Sequence, residues 1–160
     1  MEERFLLEAM LGSLAKWLRV LGVDAHYQRH YKAGALEDLL SGGRILLSRN
    51  RKTVEHHPGG VLIRSERIHE QIHQLKASGL IPPPQEEWFT RCLVCNVLLE
   101  RASFLDSRGE VPEYVLHEKR GDIRRCPSCG RSFWPGTHRE RMMMQLREWG
   151  FLMNTPDSLS

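Results

Sequence analysis

No stretch of this chain is apolar over anything near the ~20 residues that a bilayer-crossing helix needs, so no membrane span is expected. Its opening, Glu2, Glu3 and Arg4 ahead of a short apolar run, does not resemble a secretory signal. Charge of one sign is scarce as well. Lys and Arg total 23 against 20 Asp and Glu, and the formal net charge of +3 is too small to imply a nucleic-acid partner by itself. Internal repeats and low-complexity tracts are missing. What remains is 41% apolar and 27% charged residues in 160, enough to pack a core as one domain or as two small ones.

Cysteine is also sparse, and its placement is the most specific signal in the chain. The four cysteines fall as two pairs, Cys92-Leu93-Val94-Cys95 and Cys126-Pro127-Ser128-Cys129. A two-residue spacer lets the backbone curl so that both thiolates of a pair aim at one point. Two such knuckles supply the four soft ligands of a closed tetrahedral Zn²⁺ site. Gly130 follows the second pair, where a residue tolerant of positive φ is needed. A redox dithiol would need only one pair, and two disulfides would need an oxidising compartment. Metal-held thiolates suit a reducing cytoplasm.

The first half alternates strands and helices. Arg4 to Leu7 reads as a strand. Met10, Leu11, Leu14, Trp17, Leu18 and Leu21 recur at helical spacing and stop at Gly22. Val23 to Tyr27 is a second strand, Leu36 to Leu40 a short helix, Arg44 to Ser48 a buried third strand and Gly60 to Arg64 a fourth. A polar loop carrying His56 and His57 precedes the fourth strand. Ser65 is expected to cap a helix holding Ile68, Ile72 and Leu75, on which His69 and His73 are exposed. This order predicts an open α/β sandwich over residues 1–81. Pro82-Pro83-Pro84 marks the boundary. Residues 86–150 then hold both knuckles, a short strand at Tyr114-Val115-Leu116, and a final helix from His138 to Trp149 capped by Thr137. Such a zinc ribbon is too small to fold on apolar burial alone.

In open α/β sheets, ligands sit beyond the carboxyl ends of the strands. Glu8 ends the first strand, Asp38 lies on the helix before the third, and Asn50 follows the third. Oxygen ligands gathered there would hold Mg²⁺ or Mn²⁺, which activate water and neutralise a phosphodiester. Asp24 opens the second strand and is expected at the opposite edge, or assisting from a turn. Arg19, Arg49, Arg51 and Lys52 are candidates to hold phosphates. Each also has a plainer reading as a solvated helix or loop charge.

Three segments together resemble a known family. They are Phe5-Leu6-Leu7-Glu8-Ala9-Met10-Leu11-Gly12 with Leu14 to Arg19 and Leu21 to Asp24; Arg44 to Arg51; and the knuckles with Phe133-Trp134-Pro135-Gly136-Thr137-His138. The chain is similar over roughly residues 4 to 146 to the Mut7-C RNase family. That resemblance implies a PIN-like nuclease fold, an open parallel sheet between helices, followed by a zinc ribbon, and a metal-dependent ribonuclease activity. Its motifs usually carry Asp where this chain has Glu8, and Thr-Arg-Asp where it has Ser48-Arg49-Asn50. Asp38 lines up with the family's acidic position before a Leu-Leu pair. Asn50 keeps an oxygen but loses the charge.

Two functions follow. One is a ribonuclease using Glu8, Asp38 and Asn50, with Arg131 and other ribbon arginines forming a track for RNA. The other is a weakened or inactive module that binds RNA or a protein partner, for which Asn50 is the main support.

Overall fold

The computed structural model of the protein describes residues 3–81, 85–103, 109–118 and 120–151. The triproline at 82–84 lies outside these residues. By its internal contacts the chain divides into one compact unit up to Asn96 and another from Val97.

In the first unit, β1 (Arg4–Leu7), β2 (Asp24–Tyr27), β3 (Ile45–Ser48) and β4 (Val61–Leu62) form a wholly parallel sheet in the order β2-β1-β3-β4. Phe5, Leu6 and Leu7 on the central strand β1 are fully buried, as a strand covered on both faces must be. Helices α1 (Gly12–Val20), α2 (Ala35–Ser41), α3 (Arg51–Glu55) and α4 (Ile68–Ala77) alternate with the strands and flank the sheet.

α1 buries Leu14, Ala15, Leu18 and Val20. Met10, counted with its apolar stripe, instead precedes the helix with φ of 77° and 78% exposure, so the buried stripe begins at Leu11. Gly22 ends the helix at φ of 83°. A side chain there would place its Cβ 2.3 Å from the Glu87 carbonyl oxygen, so only glycine fits.

Two expectations need correction here. Residues 51–55, assigned to a polar loop, are helical because the Asn50 side chain caps them. Ser65 does not cap α4, whose N-cap position is Arg67. Its Oγ accepts the Arg67 N–H at 3.0 Å and donates to the Glu70 carboxylate, organising the turn two residues earlier.

The second unit carries β5 (Glu100–Arg101), β6 (Arg124–Arg125) and β7 (Ser132–Phe133) as a small antiparallel sheet in that order. The strand expected at Tyr114-Val115-Leu116 is a helix, α5 (Glu113–Glu118). Pro112 starts it, its carbonyl accepting the amides of Val115 and Leu116. Val115 and Leu116 pack with Ala102, Val111 and Ile123 into a small core against which Trp134 lies. The last helix, α6 (Thr137–Glu148), buries Met142 and Leu146. Thr137 lies inside it rather than capping it, and Gly136 holds the N-cap position.

Candidate active site and metal centre

The metal centre follows from the knuckle geometry. The four Sγ atoms of Cys92, Cys95, Cys126 and Cys129 all lie within 4.8 Å of one another. A tetrahedral ion with Zn–S bonds of about 2.3 Å spaces its sulfurs by about 3.8 Å, so this set could hold a structural zinc. The two knuckles are built alike. The Cys95 amide points at Cys92 Sγ (3.3 Å) and the Cys129 amide at Cys126 Sγ (3.4 Å), which favours thiolates. The amide of the residue after each pair, Asn96 or Gly130, returns to the first cysteine's carbonyl at 2.9 Å. Both residues have positive φ, 68° and 80°. Glycine does this without cost, and asparagine is among the few side-chain-bearing residues that tolerate it.

Asn96 uses the side chain that Gly130 lacks. β2 is an edge strand, and Ala25 turns its outward N–H and C=O away from β1. Asn96 Oδ1 accepts that N–H (3.0 Å), and Arg19 Nε donates to that carbonyl (3.0 Å). Asn96 Nδ2 also donates to Asp24 (2.7 Å), while Arg19 Nη1 donates to the Leu93 and Val94 carbonyls. Arg91 adds bonds to the Gly22 and Asn96 carbonyls. The first knuckle is thereby fastened to the edge of the parallel sheet.

A second site lies at the other end of the strands. From β1 the chain runs to β2 on one side, while β3 lies on the other. The carboxyl ends of β1 and β3 therefore flank the switch in strand order where open α/β sheets bind ligands. Glu8 follows β1 directly and is partly buried. Burial pushes its carboxyl above the ordinary range, partly offset by the Ser48 hydroxyl and by His57. Ser48, at the end of β3, is 1% exposed, and its Oγ also accepts the Asn50 amide (2.9 Å). Glu8 lines an open cleft of about 380 Å³ with Arg29, His30, Tyr31, Lys32 and Glu37. The Tyr31 hydroxyl donates to the Leu7 carbonyl (3.0 Å) and accepts from the Gln28 amide (3.0 Å). Burial pushes it up to about 12, so it stays a neutral phenol. Glu37 also lines a neighbouring cleft with His57, whose Nε2 is 3.9 Å from the Glu37 carboxylate.

The expected site residues scatter around this cleft. Asp38 is exposed and is absent from the lining of both clefts, whereas its neighbour Glu37 lines both. Asn50 is close to Glu8 through Ser48, but its Oδ1 already accepts the Lys52 and Thr53 amides as the cap of α3. Asp24 pairs in register with Arg4, four residues before Glu8, so it lies about 13 Å away along the strand. There it binds Arg44 at 2.7 Å. Arg19 is 7% exposed and committed to backbone carbonyls rather than to phosphate. Arg49 donates to the Ile63 carbonyl and pairs with Glu66. Arg51 and Lys52 are exposed at the start of α3, and Arg131 is exposed in the second unit, where its carbonyl accepts the Cys126 amide. The β2–α2 loop supplies the cleft's cations, Arg29 and Lys32, with His30 between them, which sequence reading missed. Its only cue was three basic side chains within four residues after a strand.

No curated protein and no solved structure is detectably similar to the chain. The Mut7-C RNAse domain family model matches residues 3–146. With a parallel four-stranded sheet, a polar cleft at its switch point and a four-cysteine cluster that could hold zinc, the chain belongs to the Mut7-C RNAse domain family.

Proposed function

We propose that the protein is a ribonuclease that cleaves RNA at the Glu8 cleft. The observation that carries this reading is a partly buried carboxylate of raised pKa, fixed by Ser48, at the switch point of the sheet in a chain of a ribonuclease family. The parallel strand order with an acid after β1 supports a PIN-like assignment of the first unit. Arg29 and Lys32 give the cleft a cationic rim suited to phosphates, and Arg51 and Lys52 are exposed at the start of α3. The four thiols favour a reducing, cytoplasmic setting.

Mg²⁺ or Mn²⁺ was expected on Glu8, Asp38 and Asn50. Those donors do not fit a three-ligand cation site. Asp38 lies outside the cleft lining, and the Asn50 oxygen is occupied by two amides. Among the described residues, the four cysteines are the group of three or more His, Cys, Asp or Glu side chains whose ligand atoms gather within 4.8 Å. Mg²⁺ is held in such sites by one or two carboxylates with waters and substrate phosphates, and Glu8 and Glu37 of the one cleft would be its donors. Glu8 is suited to take a proton, Ser48 to orient it, and the loop cations to bind the phosphate.

The alternative, a non-catalytic module that binds RNA or protein, draws support from Asn50, whose amide serves the helix cap. One experiment separates the two. Wild-type protein should cleave single-stranded RNA, and Glu8→Gln should lose at least about 100-fold in rate while keeping its zinc and its circular dichroism. Equal activity in both would mark a contaminant and remove the enzyme reading.

A further inference from the structure

We propose that the outer face of the small antiparallel sheet, through Arg101, Arg124 and Phe133, is a second contact site for single-stranded RNA. Such a site rests on the ribonuclease reading for its substrate, and binding rather than cleavage tests it.

The register of the sheet sets the three side chains in one row. Arg101 lies directly opposite Arg124, and Arg124 directly opposite Phe133. Residues opposite one another in antiparallel strands share a face, and their neighbours along each strand point to the other. The adjacent positions Ala102, Ile123 and Trp134 turn inward: the first two are buried in the small core and Trp134 packs against it. The Ala102 amide donates to the Ile123 carbonyl at 3.0 Å, which continues the register. Arg101, Arg124 and Phe133 therefore face away from that core. Arg101 is exposed, and Arg124 and Phe133 are partly so.

The two faces differ in charge. On the core side Arg125 lies opposite Glu100 and Ser132, and the Ser132 hydroxyl donates to the Glu110 carboxylate at 3.0 Å. Opposite charges match there. On the outer face arginine stands against arginine, which destabilises a sheet. Arg124 Nη1 donates to the Gly121 carbonyl at a long 3.4 Å, so that guanidinium is only partly committed. Arg139 of α6 feels the same charge. Burial holds its pKa below the usual arginine range, Asp122 opposes the shift and Arg124 adds to it. A polyanion would relieve this crowding. Phe133 at the end of the row selects which one, because an aromatic ring beside guanidinium groups suits a chain that alternates phosphates with unpaired bases.

The test uses the full-length zinc-loaded protein carrying Glu8→Gln, so that the probe stays intact, and a fluorescein-labelled oligouridylate followed by anisotropy across a salt series. Adding Arg101→Gln and Arg124→Gln together should weaken binding by about tenfold or more and flatten the slope of log Kd against log salt by about 1.4, or ~0.7 for each phosphate contact removed. Phe133→Leu should weaken binding by about fivefold or more with the slope unchanged. Arg125→Gln, which removes an equal charge one residue away on the other face, should leave affinity and slope near those of its parent. The double arginine variant should melt no lower than its parent, since a repulsive pair is gone. Unchanged affinity and slope in that variant would overturn the proposal. Equal losses in Arg125→Gln would do so too, by making net charge rather than the row the cause. A melting temperature that falls along with affinity would give the row a structural role instead. Displacement of the probe by poly-glutamate as readily as by unlabelled oligouridylate would make the face a docking site for an acidic protein segment, and the RNA assignment would fall. Each of these results leaves the ribonuclease reading standing, whereas a wild type that binds through the row yet cuts no RNA would overturn that reading alone.

Discussion

Glu37 and Asp38 are adjacent, yet only Glu37 faces the cleft. A helix turns by about 100° per residue, so neighbouring side chains diverge. Which one points inward can be read from sequence only if an apolar stripe sets the phase. α2 has seven residues and none of them is buried, so no stripe exists. Sequence alone therefore does not decide between the two neighbouring acids. The consequence is measurable: Glu37→Gln should slow RNA cleavage by about tenfold or more, whereas Asp38→Asn should leave the rate within about twofold. Equal effects would place Asp38 at the site after all. Asn50 was legible as a strand-end residue but not as a helix cap. Its replacement by Ala should cost about 1 kcal/mol of stability in chemical denaturation, while Asn50→Asp, an equally good cap, should be near neutral. Asp24 carries a pH dependence. Burial acts to raise its pKa, but hydrogen bonds from Arg44 and Asn96 and the charges of Arg44 and Arg91 outweigh that, so the folded value lies below the ordinary 3.8. The stabilisation is therefore complete above that ordinary value and is lost as pH falls below it through the folded value. At 20% side-chain exposure it is partly screened. Asp24→Asn should flatten that part of an acid-unfolding curve, and an unchanged curve would show that the pair contributes nothing.

At the scale of elements, sequence patterns worked where periodicity was long and failed where it was short. β1, β3 and α1 carry enough apolar residues to declare their period, and they fall within a residue or two of expectation. Tyr114-Val115-Leu116 offers only three apolar residues, too few to tell a strand from a helix turn, and the cue that mattered was Pro112 followed by Glu113. The first knuckle shows the same limit. The cysteines fix the turn because ligand spacing is local, but the Asn96 bonds to Asp24 and Ala25 join residues more than 70 positions apart and leave no periodic trace. Asn96→Ala would leave the Ala25 amide unpaired and Asp24 short of one donor, at a cost of about 1–3 kcal/mol. Asn96→Gly, which keeps the positive φ but loses the same bonds, should cost nearly as much. If Gly restores stability, backbone conformation rather than the side-chain bonds is what position 96 supplies.

For the whole molecule, the four-cysteine centre was the most legible feature and the site chemistry the least. Thiol spacing specifies a metal geometry almost by itself, whereas the Glu8 cleft is assembled from single residues after β1, on α2 and in the loop between β2 and α2. The prediction at this scale is stoichiometric. Purified protein should hold one zinc, and Cys126→Ser should release it and lower the melting temperature. An unchanged zinc content would refute the four-thiolate site.

The Asn96 and Arg19 bonds to Ala25 have a practical consequence for dissecting the chain. The triproline at 82–84 looks like the natural place to cut, but a fragment stopped there would lack the group that covers Ala25's outward amide and would carry an open strand margin able to recruit a second copy. It should self-associate on light scattering, whereas a fragment carried on to residue 96 should remain monomeric.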